Sequence, residues 1–480
     1  MFKKILIANR GEIALRVVRA CRELGIPSVV AFSEGDRDTL AVRAADEAVC
    51  IGPSAPGKSY LHIPAIMSAA LISGCDAIHP GYGFLSENPY IGEICAQLGV
   101  TFIGPAPSVI ERMADKALAR QTMKEAGLPV LPGSAALLNE SDARERAAAI
   151  GYPVLLKAVG GGGGRGMRVV ESEAEIADTY AVASNEARNA FNNADLYLEK
   201  YLIAPRHVEV QVLGDNYGHI IHLGTRDCSL QRRHQKVLEE APAPGLSEAV
   251  LKALGTAAVK GCKHLGYSNA GTLEFLVDRE GAFYFMEMNT RIQVEHGVTE
   301  MVTGVDLVKW QIRIAAGAHL TLQQKEIRIA GHAIECRINA EDPAKGFLPQ
   351  AGMINLFLPP GGIGVRVDSH VYSGYSVPTS YDSLVAKIMV WGEDRTEAIA
   401  RMRRALGECI ITGPVTTVAF QQQILSHRAF VQAELDTGFL PRHMDDLVDA
   451  AIGKPSGAPD PGSPGPRIPL PAPGEPGGAG

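Results

Sequence analysis

The segment "TLEFLVDREGAFYFMEMNTRIQVEH", residues 272–296, is typical of a β-hairpin followed by an extended polar stretch. Two apolar runs flank Glu280–Gly281, which we interpret as a two-residue hairpin loop. In that register Glu274 lies directly opposite Glu287. Like charges that face each other across an antiparallel pair are destabilising, and a divalent cation between them would remove that penalty. The same register pairs Phe275 with Met286 and Arg279 with Ala282.

Polar and apolar residues alternate beyond the hairpin. The polar positions fall on one side of an extended chain; they are Glu287, Asn289, Arg291, Gln293 and Glu295. A solvated strand face is the alternative interpretation. Against it, Glu274 and Glu287 lie in apolar surroundings, where a carboxylate seldom lacks a partner. Arg291 and Gln293 can hold a small planar anion, and Glu295 can act as its base.

Five consecutive glycines lie in "VGGGGGRGMRVV", residues 159–170. The run joins two predicted strands that are close in sequence, so we expect a hairpin tip rather than a linker between units. Backbone N–H groups at such a tip can bind phosphate oxygens. Lys157 and Arg165 on either side of the glycines add positive charge. A nucleotide lid and a mobile hairpin both remain open interpretations.

The composition indicates a soluble globular protein of several domains. The chain has 480 residues, of which 46% are hydrophobic and 21% charged. No apolar run is long enough to span a bilayer, and "ILIA" near the N-terminus is too short for a secretory signal. The net charge of −7 argues against nucleic acid as a partner. Eight scattered cysteines predict buried thiols in a reducing compartment, so we expect a cytoplasmic protein without a membrane partner.

The order of predicted elements indicates a mixed architecture, α/β in the first part and α+β later. Residues 1–112 alternate strand and helix, which predicts a doubly wound, Rossmann-like parallel sheet. The first turn, "ANRGEI", lacks the G-x-G-x-x-G pattern, so NAD is not predicted. A helical pattern runs from Ser108 to Gly127. The predicted later units are a small lid at about 131–202 within a domain at 113–325, a strand-rich domain at 332–441 and a tail at 452–480.

Two further segments carry compositional signals. From Pro455 onward the chain holds nine prolines and seven glycines, which predicts disorder. The segment "RDCSLQRRHQK", residues 226–236, is either a basic surface segment or a group that gathers around polyphosphate.

Several motifs together resemble those of biotin carboxylase, the ATP-grasp subunit of bacterial acetyl-CoA carboxylase and its relatives. The motifs are "IANRGEIALR", "HPGYGFLSEN", "KAVGGGGGRGMR", "EKYL", "RHVEVQV", "RDCSLQRRHQK", "EMNTRIQVEH" and "HAIECRINAED". They follow in order from residue 1 to about 441. The resemblance implies an ATP-grasp fold and a reaction in which bicarbonate attacks the γ-phosphate of ATP. The resulting carboxyphosphate then carboxylates N1′ of biotin on a separate carrier protein.

The resemblance also implies the ligands of the nucleotide. Lys116 and Lys157 would contact the phosphates or the adenine side, and Gly163 and Gly164 would close over the phosphates. Glu199, Lys200 and the backbone of Leu202 would form the adenine hinge. His207, Gln231, His234 and Lys236 would line the ribose–phosphate channel. Glu274, Glu287 and Asn289 would hold Mg²⁺ or Mn²⁺.

The remaining implied roles concern the chemistry and the partners. Arg291, Gln293 and the backbone of Val294 would hold bicarbonate, with Glu295 as base, and Arg337 would stabilise the biotin enolate. The implied catalytic groups are thus Lys236, Arg291, Glu295 and Arg337. Expected partners are a biotin carboxyl carrier protein, carboxyltransferase subunits and a second copy of the chain. No "MKM" biotin-attachment motif is present, so the carrier is expected to be another chain.

The chain departs from the family pattern at Gly297, in "VPTSYDSL", in "GPVTTV" and in its added tail, and two alternative functions remain. Gly297 stands where the family usually has proline, and we expect it to loosen the loop beside Glu295. The same chemistry would serve a pyruvate, propionyl-CoA, 2-oxoglutarate or urea carboxylase instead of acetyl-CoA carboxylase. A nucleotide-binding module without turnover would lack at least one group among Glu274, Glu287, Arg291, Glu295 and Arg337, and all are present.

Overall fold

The computed structural model describes residues 1–159, 166–191 and 193–453. Its N-terminal unit contains a five-stranded parallel sheet in the order β3-β2-β1-β4-β5. Alternate residues of the first strand enter different cores, Ile5 and Ile7 on one face and Leu6 on the other, which confirms the doubly wound prediction. The elements are β1 Ile5–Ile7, α1 Gly11–Glu23, β2 Ser28–Phe32, α2 Leu40–Ala44, β3 Glu47–Cys50, α3 Ile63–Ile72, β4 Ala77–His79, α4 Pro89–Gln97 and β5 Thr101–Phe102.

Two helices, α5 (Pro107–Ala114) and α6 (Lys116–Glu125), lead out of this sheet. The sequence pattern predicts one helix here, which is wrong because the chain breaks at Asp115. The Asp115 carboxylate accepts hydrogen bonds from the N–H groups of Ala117 and Leu118, both at 2.9 Å. Such a cap begins a new helix and places Lys116 at its first position.

A small three-stranded antiparallel sheet follows, in the order β7-β6-β8. Its elements are α7 Glu140–Ile150, β6 Val154–Ala158, β7 Met167–Val170, α8 Ile176–Phe191 and β8 Leu196–Lys200. Lys157 pairs with Met167, so the prediction that the glycine run joins two paired strands is confirmed. Residues 160–165, which include Gly163, Gly164 and Arg165, lie outside the described residues.

The third part of the chain begins an eight-stranded sheet. The first six of its elements in chain order are β9 Arg206–Gly214, β10 Ile220–Arg232, β11 Gln235–Ala241, α9 Glu248–Leu265, β12 Asn269–Val277 and β13 Phe283–Asn289. Two helices, α10 (His296–Thr303) and α11 (Leu307–Ala315), complete this part. A cluster of apolar residues between α9 and the sheet forms its core, with Phe275 and Leu254 fully buried.

The same sheet continues into the C-terminal part, in the order β13-β12-β9-β10-β11-β14-β21-β19. The elements here are β14 His332–Asn339, β15 Glu341–Asp342, β16 Leu348–Pro349, β17 Gly352–Met353, β18 Leu356–Leu358, β19 Val365–Ser369, β20 Ser376–Val377, β21 Leu384–Gly392, α12 Arg395–Glu408, β22 Ile410–Thr412, α13 Val418–Ser426, α14 Arg428–Val431 and α15 Phe439–Ala451. The domain limits drawn from the sequence stay a prediction, and one sheet crosses the predicted boundary near residue 330.

The β12–β13 hairpin places Glu274 opposite Glu287, as predicted. Its loop differs from the prediction, since Asp278 pairs with Ala282 and three residues close the turn. Gly281 supplies the left-handed conformation, with φ of 86°, that such a turn requires. The predicted pairs of Phe275 with Met286 and Arg279 with Ala282 are therefore wrong. Phe275 pairs with Phe285, and a bulge between there and Glu287 restores the predicted register at the two glutamates.

Three other sequence predictions concern the surface and the termini. Seven cysteines are buried as expected, whereas Cys50 is exposed. Within the described ranges, no helix combines the length and the apolar character that crossing a bilayer requires. Residues 452–453 follow α15 as a turn, and the rest of the predicted tail, 454–480, lies outside the described residues.

Candidate active site

A buried ion cluster centred on Lys236 lies on the face of the large sheet. The Lys236 Nζ contacts one oxygen of each of three glutamates: Glu209 at 2.6 Å, Glu274 at 3.1 Å and Glu295 at 2.6 Å. Burial by itself would lower the pKa of Lys236, but Cys228 and these carboxylates hold it well above its ordinary value. The amine, on β11, is therefore a permanent cation at the point where Glu209 of β9, Glu274 of β12 and Glu295 before α10 present their carboxylates.

Glu295 lies between two cations. It accepts a hydrogen bond from Lys236 and another from Arg337 Nη2 at 3.0 Å. Although burial would raise the pKa of Glu295, Lys236, Arg337 and Arg226 hold it below its ordinary value. The group is thus ionised at neutral pH, and both of its partners are groups that can also bind anionic substrates. A carboxylate in this setting becomes a stronger base when a substrate draws those cations away.

Arg226 is fully buried and organises the floor of the cluster. Its guanidinium donates to Glu209, to Gln211 at 2.8 Å, to Thr299 at 2.8 Å and to Thr272 at 3.2 Å. It also donates to the amide oxygen of Gln293 at 3.1 Å, while the amide nitrogen of Gln293 donates to Glu274 at 2.8 Å. Both ends of the Gln293 amide are therefore fixed.

The predicted metal ligands form the edge of this cluster. The Asn289 amide donates to Glu274 at 2.7 Å, and Glu287 forms an ion pair with Lys116 at 3.3 Å. Glu274 also contacts His207 Nε2 at 2.8 Å. Despite burial, Lys236 and His207 hold the pKa of Glu274 well below its ordinary value. Two facing carboxylates and an amide oxygen, with cationic side chains around them, match the donor set of a hard divalent cation.

The small sheet carries a second group of predicted nucleotide contacts. Lys157 on β6 is paired with Glu199 on β8, and Arg120 of α6 contacts the same carboxylate at 2.8 Å. Lys200 donates to the backbone oxygens of Gly151 at 2.8 Å and Tyr152 at 2.9 Å. Of the predicted hinge residues, Glu199 and Lys200 are therefore the last two residues of β8, and Leu202 lies in the connection that leads from β8 to β9 of the large sheet.

The structure brings most of the other predicted residues into the ion cluster. Gln231 hydrogen-bonds to His207 Nδ1 at 2.6 Å, and Arg291 donates to Asn289 at 2.9 Å. Arg291 also donates to Glu87 at 3.0 Å, so the N-terminal unit contributes one wall. His234 is the exception, because its side chain is exposed at the turn between β10 and β11.

The polar stretch after the hairpin is not a solvated strand face. Asn289, Gln293 and Glu295 are 8%, 3% and 1% exposed. The strand ends at Asn289, and Glu295 is the N-cap position of α10 rather than a strand residue. The alternation nevertheless selected residues that the structure brings together, because the irregular segment turns the side chains of Asn289 and Gln293 toward Glu274 and that of Glu295 toward Lys236.

Several residues of the cluster were not singled out from the sequence. Glu209 and Gln211 alternate with apolar residues in "RHVEVQV", and this signal would have found them. Arg226 begins the basic segment 226–236, which the sequence presents as surface or phosphate-binding, yet it is fully buried. Lys387 interrupts the apolar strand "VAKIMV", and a lone charge in such a run indicates a buried ion pair.

Comparisons with known proteins agree over most of the chain, up to residue 442. Residues 1–110 match the model "Biotin carboxylase, N-terminal domain", residues 115–323 match "Carbamoyl-phosphate synthase L chain, ATP binding domain", and residues 335–442 match "Biotin carboxylase C-terminal domain". Biotin carboxylase of Nostoc sp. is 57% identical over 440 residues, 92% of this chain and 98% of that protein. A pyruvate carboxylase subunit of Methanothermobacter thermautotrophicus is 54% identical over 455 residues, 95% and 92% of the two chains.

Solved structures show the same fold. A biotin carboxylase–β,γ-ATP complex from Campylobacter jejuni is 51% identical and superposes with a TM-score of 0.89, covering 92% of this chain and 99% of that one. The biotin carboxylase domain dimer of Hydrogenobacter thermophilus 2-oxoglutarate carboxylase, in complex with MgADP, ADP and bicarbonate, is 50% identical with a TM-score of 0.88, covering 94% and 99%. The chain described here therefore belongs to the biotin carboxylase family of ATP-dependent, magnesium-using ligases and has its ATP-grasp fold.

Proposed function

We propose that this chain carboxylates biotin on a separate carrier protein, as the biotin carboxylase subunit of an acetyl-CoA carboxylase that forms malonyl-CoA for fatty acid synthesis. The observation that carries the proposal is the position of Glu295 between Lys236 and Arg337, beside the oriented amide of Gln293. The proposed base (Glu295), the proposed bicarbonate ligand (Gln293) and the cation proposed to stabilise the biotin enolate (Arg337) thus lie in one buried cluster.

Four groups of residues bind the nucleotide in this proposal. Lys116 and Lys157 contact its phosphates or adenine, Glu199, Lys200 and the backbone of Leu202 form the hinge, and Gly163 and Gly164 cover the phosphates. His207, Gln231, His234 and Lys236 line the ribose–phosphate channel. Glu274, Glu287 and Asn289 are the residues that would hold Mg²⁺ or Mn²⁺, which when bound neutralises phosphate charge.

Bicarbonate is held by Arg291, Gln293 and the backbone of Val294, and Glu295 takes its proton. A bicarbonate oxygen forms a bond to the γ-phosphorus of ATP, the bond from that phosphorus to the β–γ bridging oxygen breaks, and ADP leaves. The product is carboxyphosphate. Lys236 and Arg337 leave Glu295 for the anionic oxygens of the substrates, which raises the basicity of Glu295 as the substrates bind.

Biotin is the second acceptor. The bond between the carboxyl carbon and the phosphate oxygen of carboxyphosphate breaks, the departing phosphate takes the proton of N1′, and N1′ forms a bond to the carboxyl carbon. Arg337 stabilises the negative charge that the ureido oxygen carries when N1′ has lost its proton. Glu239 holds the guanidinium through Nε at 2.6 Å and Nη2 at 2.5 Å, and Nη2 also donates to Glu295 at 3.0 Å, so that the guanidinium stays beside the reaction site.

The same proposal covers partners and location. The chain acts in the cytoplasm as a homodimer, with a biotin carboxyl carrier protein and carboxyltransferase subunits. A pyruvate or 2-oxoglutarate carboxylase is the second candidate, because both kinds of enzyme occur among the relatives at similar identity. Carboxylation rates on biotinylated carriers from each complex separate the candidates. We expect the highest kcat/KM with the acetyl-CoA carboxylase carrier.

ATP hydrolysis in the presence of Mg²⁺ tests the chemistry. We expect ADP release to require bicarbonate and to increase when free biotin is added. Glu287→Gln should abolish most of this turnover, whereas Glu280→Gln, the same change at an exposed position of the same hairpin, should have little effect. Wild-type protein that shows no stimulation by biotin would contradict the proposal.

A further inference from the structure

Lys387 lies in the middle of β21 with its side chain fully buried. Its Nζ donates a hydrogen bond to the backbone oxygen of Val294 at 2.5 Å and forms an ion pair with Glu12 at 3.1 Å. Both partners come from other parts of the chain, Glu12 from α1 of the N-terminal unit and Val294 from the segment between β13 and α10. The Lys387 side chain thus connects strand β21 with helix α1 and with the segment that precedes α10.

The surroundings of Lys387 keep it charged. Burial would lower the pKa of the amine, but Glu12, Glu335 and Asp368 raise it above the ordinary value. Asp368 lies directly opposite Lys387 on β19, and Arg337 lies directly opposite it on β14. Burial of a charged lysine costs free energy of folding, so such a residue is expected to have a specific structural or functional role.

The bond to Val294 acts on the segment that carries the bicarbonate residues. The Val294 carbonyl and the Glu295 N–H belong to the same planar peptide unit. The orientation of this carbonyl therefore helps to set the direction in which the Glu295 side chain leaves the backbone. This segment lies outside any strand, and α10 begins only at His296. Backbone pairing within a sheet therefore does not fix the segment between Asn289 and His296, and hydrogen bonds from side chains fix it instead.

The far end of the connection is also fixed. Glu12 accepts hydrogen bonds from Tyr82 and from Lys387, so its carboxylate is held between β21 and the N-terminal unit. The Lys387 amine is therefore held in place by Glu12 while it donates its hydrogen bond to the Val294 carbonyl. A bond of this kind reduces the freedom of a loop without contacting the substrate.

We propose that Lys387 is a positioning residue for bicarbonate: it holds the Val294 carbonyl, and with it the backbone on both sides of Val294, in the orientation from which the Val294 N–H donates to the anion and the Glu295 carboxylate accepts its proton. The inference rests on the proposed function. Lys387 itself touches no reacting atom and acts through Val294.

Two variants that share the Glu12→Gln change test this role. Glu12→Gln keeps the lysine and its bond to Val294, whereas Lys387→Met in the Glu12→Gln background removes the donor and leaves no unpaired charge. For the double variant we expect the KM for bicarbonate to rise about tenfold or more relative to Glu12→Gln, since small misplacements of reacting groups have effects of this size. The KM for ATP should change less than about twofold, because ATP binding does not use this segment.

The comparison with Glu12→Gln separates the outcomes. A bicarbonate KM within about twofold of that control, or an equal rise in the KM for ATP, would overturn the inference. If the methionine variant does not fold, Lys387→Gln/Glu12→Gln takes its place under the same criteria, since glutamine ends about one bond short of the lysine amine. Absence of bicarbonate-dependent ATPase in the wild type would instead contradict the proposed function.

Discussion

Two buried carboxylates, Glu239 and Glu335, face each other across β11 and β14. Arg337 donates to Glu239, while neither oxygen of Glu335 has a hydrogen-bond partner within the described ranges. Burial raises the pKa of Glu239 to about 7 against the opposing effect of Arg337, and burial raises the pKa of Glu335 well above its ordinary range. Both carboxyl groups therefore keep their protons at mildly acidic pH. There the positive charge of Arg337 is neutralised mainly by the Glu295 carboxylate.

Replacing Glu239 by glutamine tests this balance. The folded protein holds a proton on Glu239 that the unfolded chain loses near pH 4.5, so the contribution of Glu239 to stability falls as the pH rises from 4.5 to about 7. The difference in unfolding free energy, wild type minus Glu239→Gln, should decrease over that interval by at most about 3 kcal/mol. Urea denaturation at several pH values measures it, and a difference that stays constant or grows contradicts the assignment.

Arg337 offers a test at the same scale. Arg337→Ala should reduce biotin carboxylation by about 100-fold or more, because the lost charge faces the enolate, and should reduce bicarbonate-dependent ATPase much less. Arg404→Ala removes an exposed arginine of α12 and serves as the control. Parallel measurement of labelled carboxybiotin and of ADP gives the two rates. Equal losses in both would show that Arg337 acts earlier in the reaction.

The hairpin shows how much an element can be predicted from its sequence. Opposed apolar runs and a glycine in the turn predicted β12, β13 and the facing glutamates. The loop length and the bulge could not be predicted, since they depend on how Phe275 and Phe285 pack in the core. The two deviations compensate each other at Glu274 and Glu287. The helix break at Asp115 did have a signal, because aspartate before a helical pattern is a preferred cap.

The close approach of Met389 explains why the second residue of α10, Gly297, has no side chain. A Cβ at this position would lie 2.2 Å from the Sδ of Met389, which is fully buried. Close packing against Met389 therefore explains why a glycine is tolerated better than a larger residue at this position, and the expected loosening of the loop beside Glu295 stays a prediction. Helix propensity alone would favour alanine here by up to about 1 kcal/mol.

A double-mutant cycle measures this contact. Gly297→Ala should destabilise the wild type by about 1–3 kcal/mol through overpacking. In a Met389→Ala background the same change should be neutral or stabilising, because the space is vacated. Urea midpoints of the four proteins give the coupling. Equal effects of Gly297→Ala in both backgrounds would contradict the packing explanation.

At the scale of the whole molecule, one sheet and several ion pairs cross the limits that the sequence predicts between units. β11 pairs with β14 across the predicted boundary, and Arg366 bridges to Glu300 at 2.7 Å. Composition and strand order predicted the units but not this continuity, because pairing of strands far apart in sequence leaves no local signal. The partners of the buried Arg226 and Lys387 come from distant parts of the chain and could not be predicted for the same reason, although the lone charge in "VAKIMV" did indicate that Lys387 is paired.

A cut in the connection between α11 and β14 tests this continuity. The residues from Gln323 to Glu326 are exposed, so a protease site inserted there should be tolerated. After cleavage we expect the two fragments to elute together in native buffer and to separate only in denaturant. Separation in native buffer at micromolar concentration would mean that the shared sheet contributes little.

The most direct test of the central claim is fixation of labelled bicarbonate onto biotin by the wild type and by Glu295→Gln. With MgATP, the wild type should form acid-labile carboxybiotin, and the variant should form it about 100-fold more slowly because its base is lost. Wild-type protein that forms no labelled carboxybiotin, or a variant that forms it at the wild-type rate, would contradict the account.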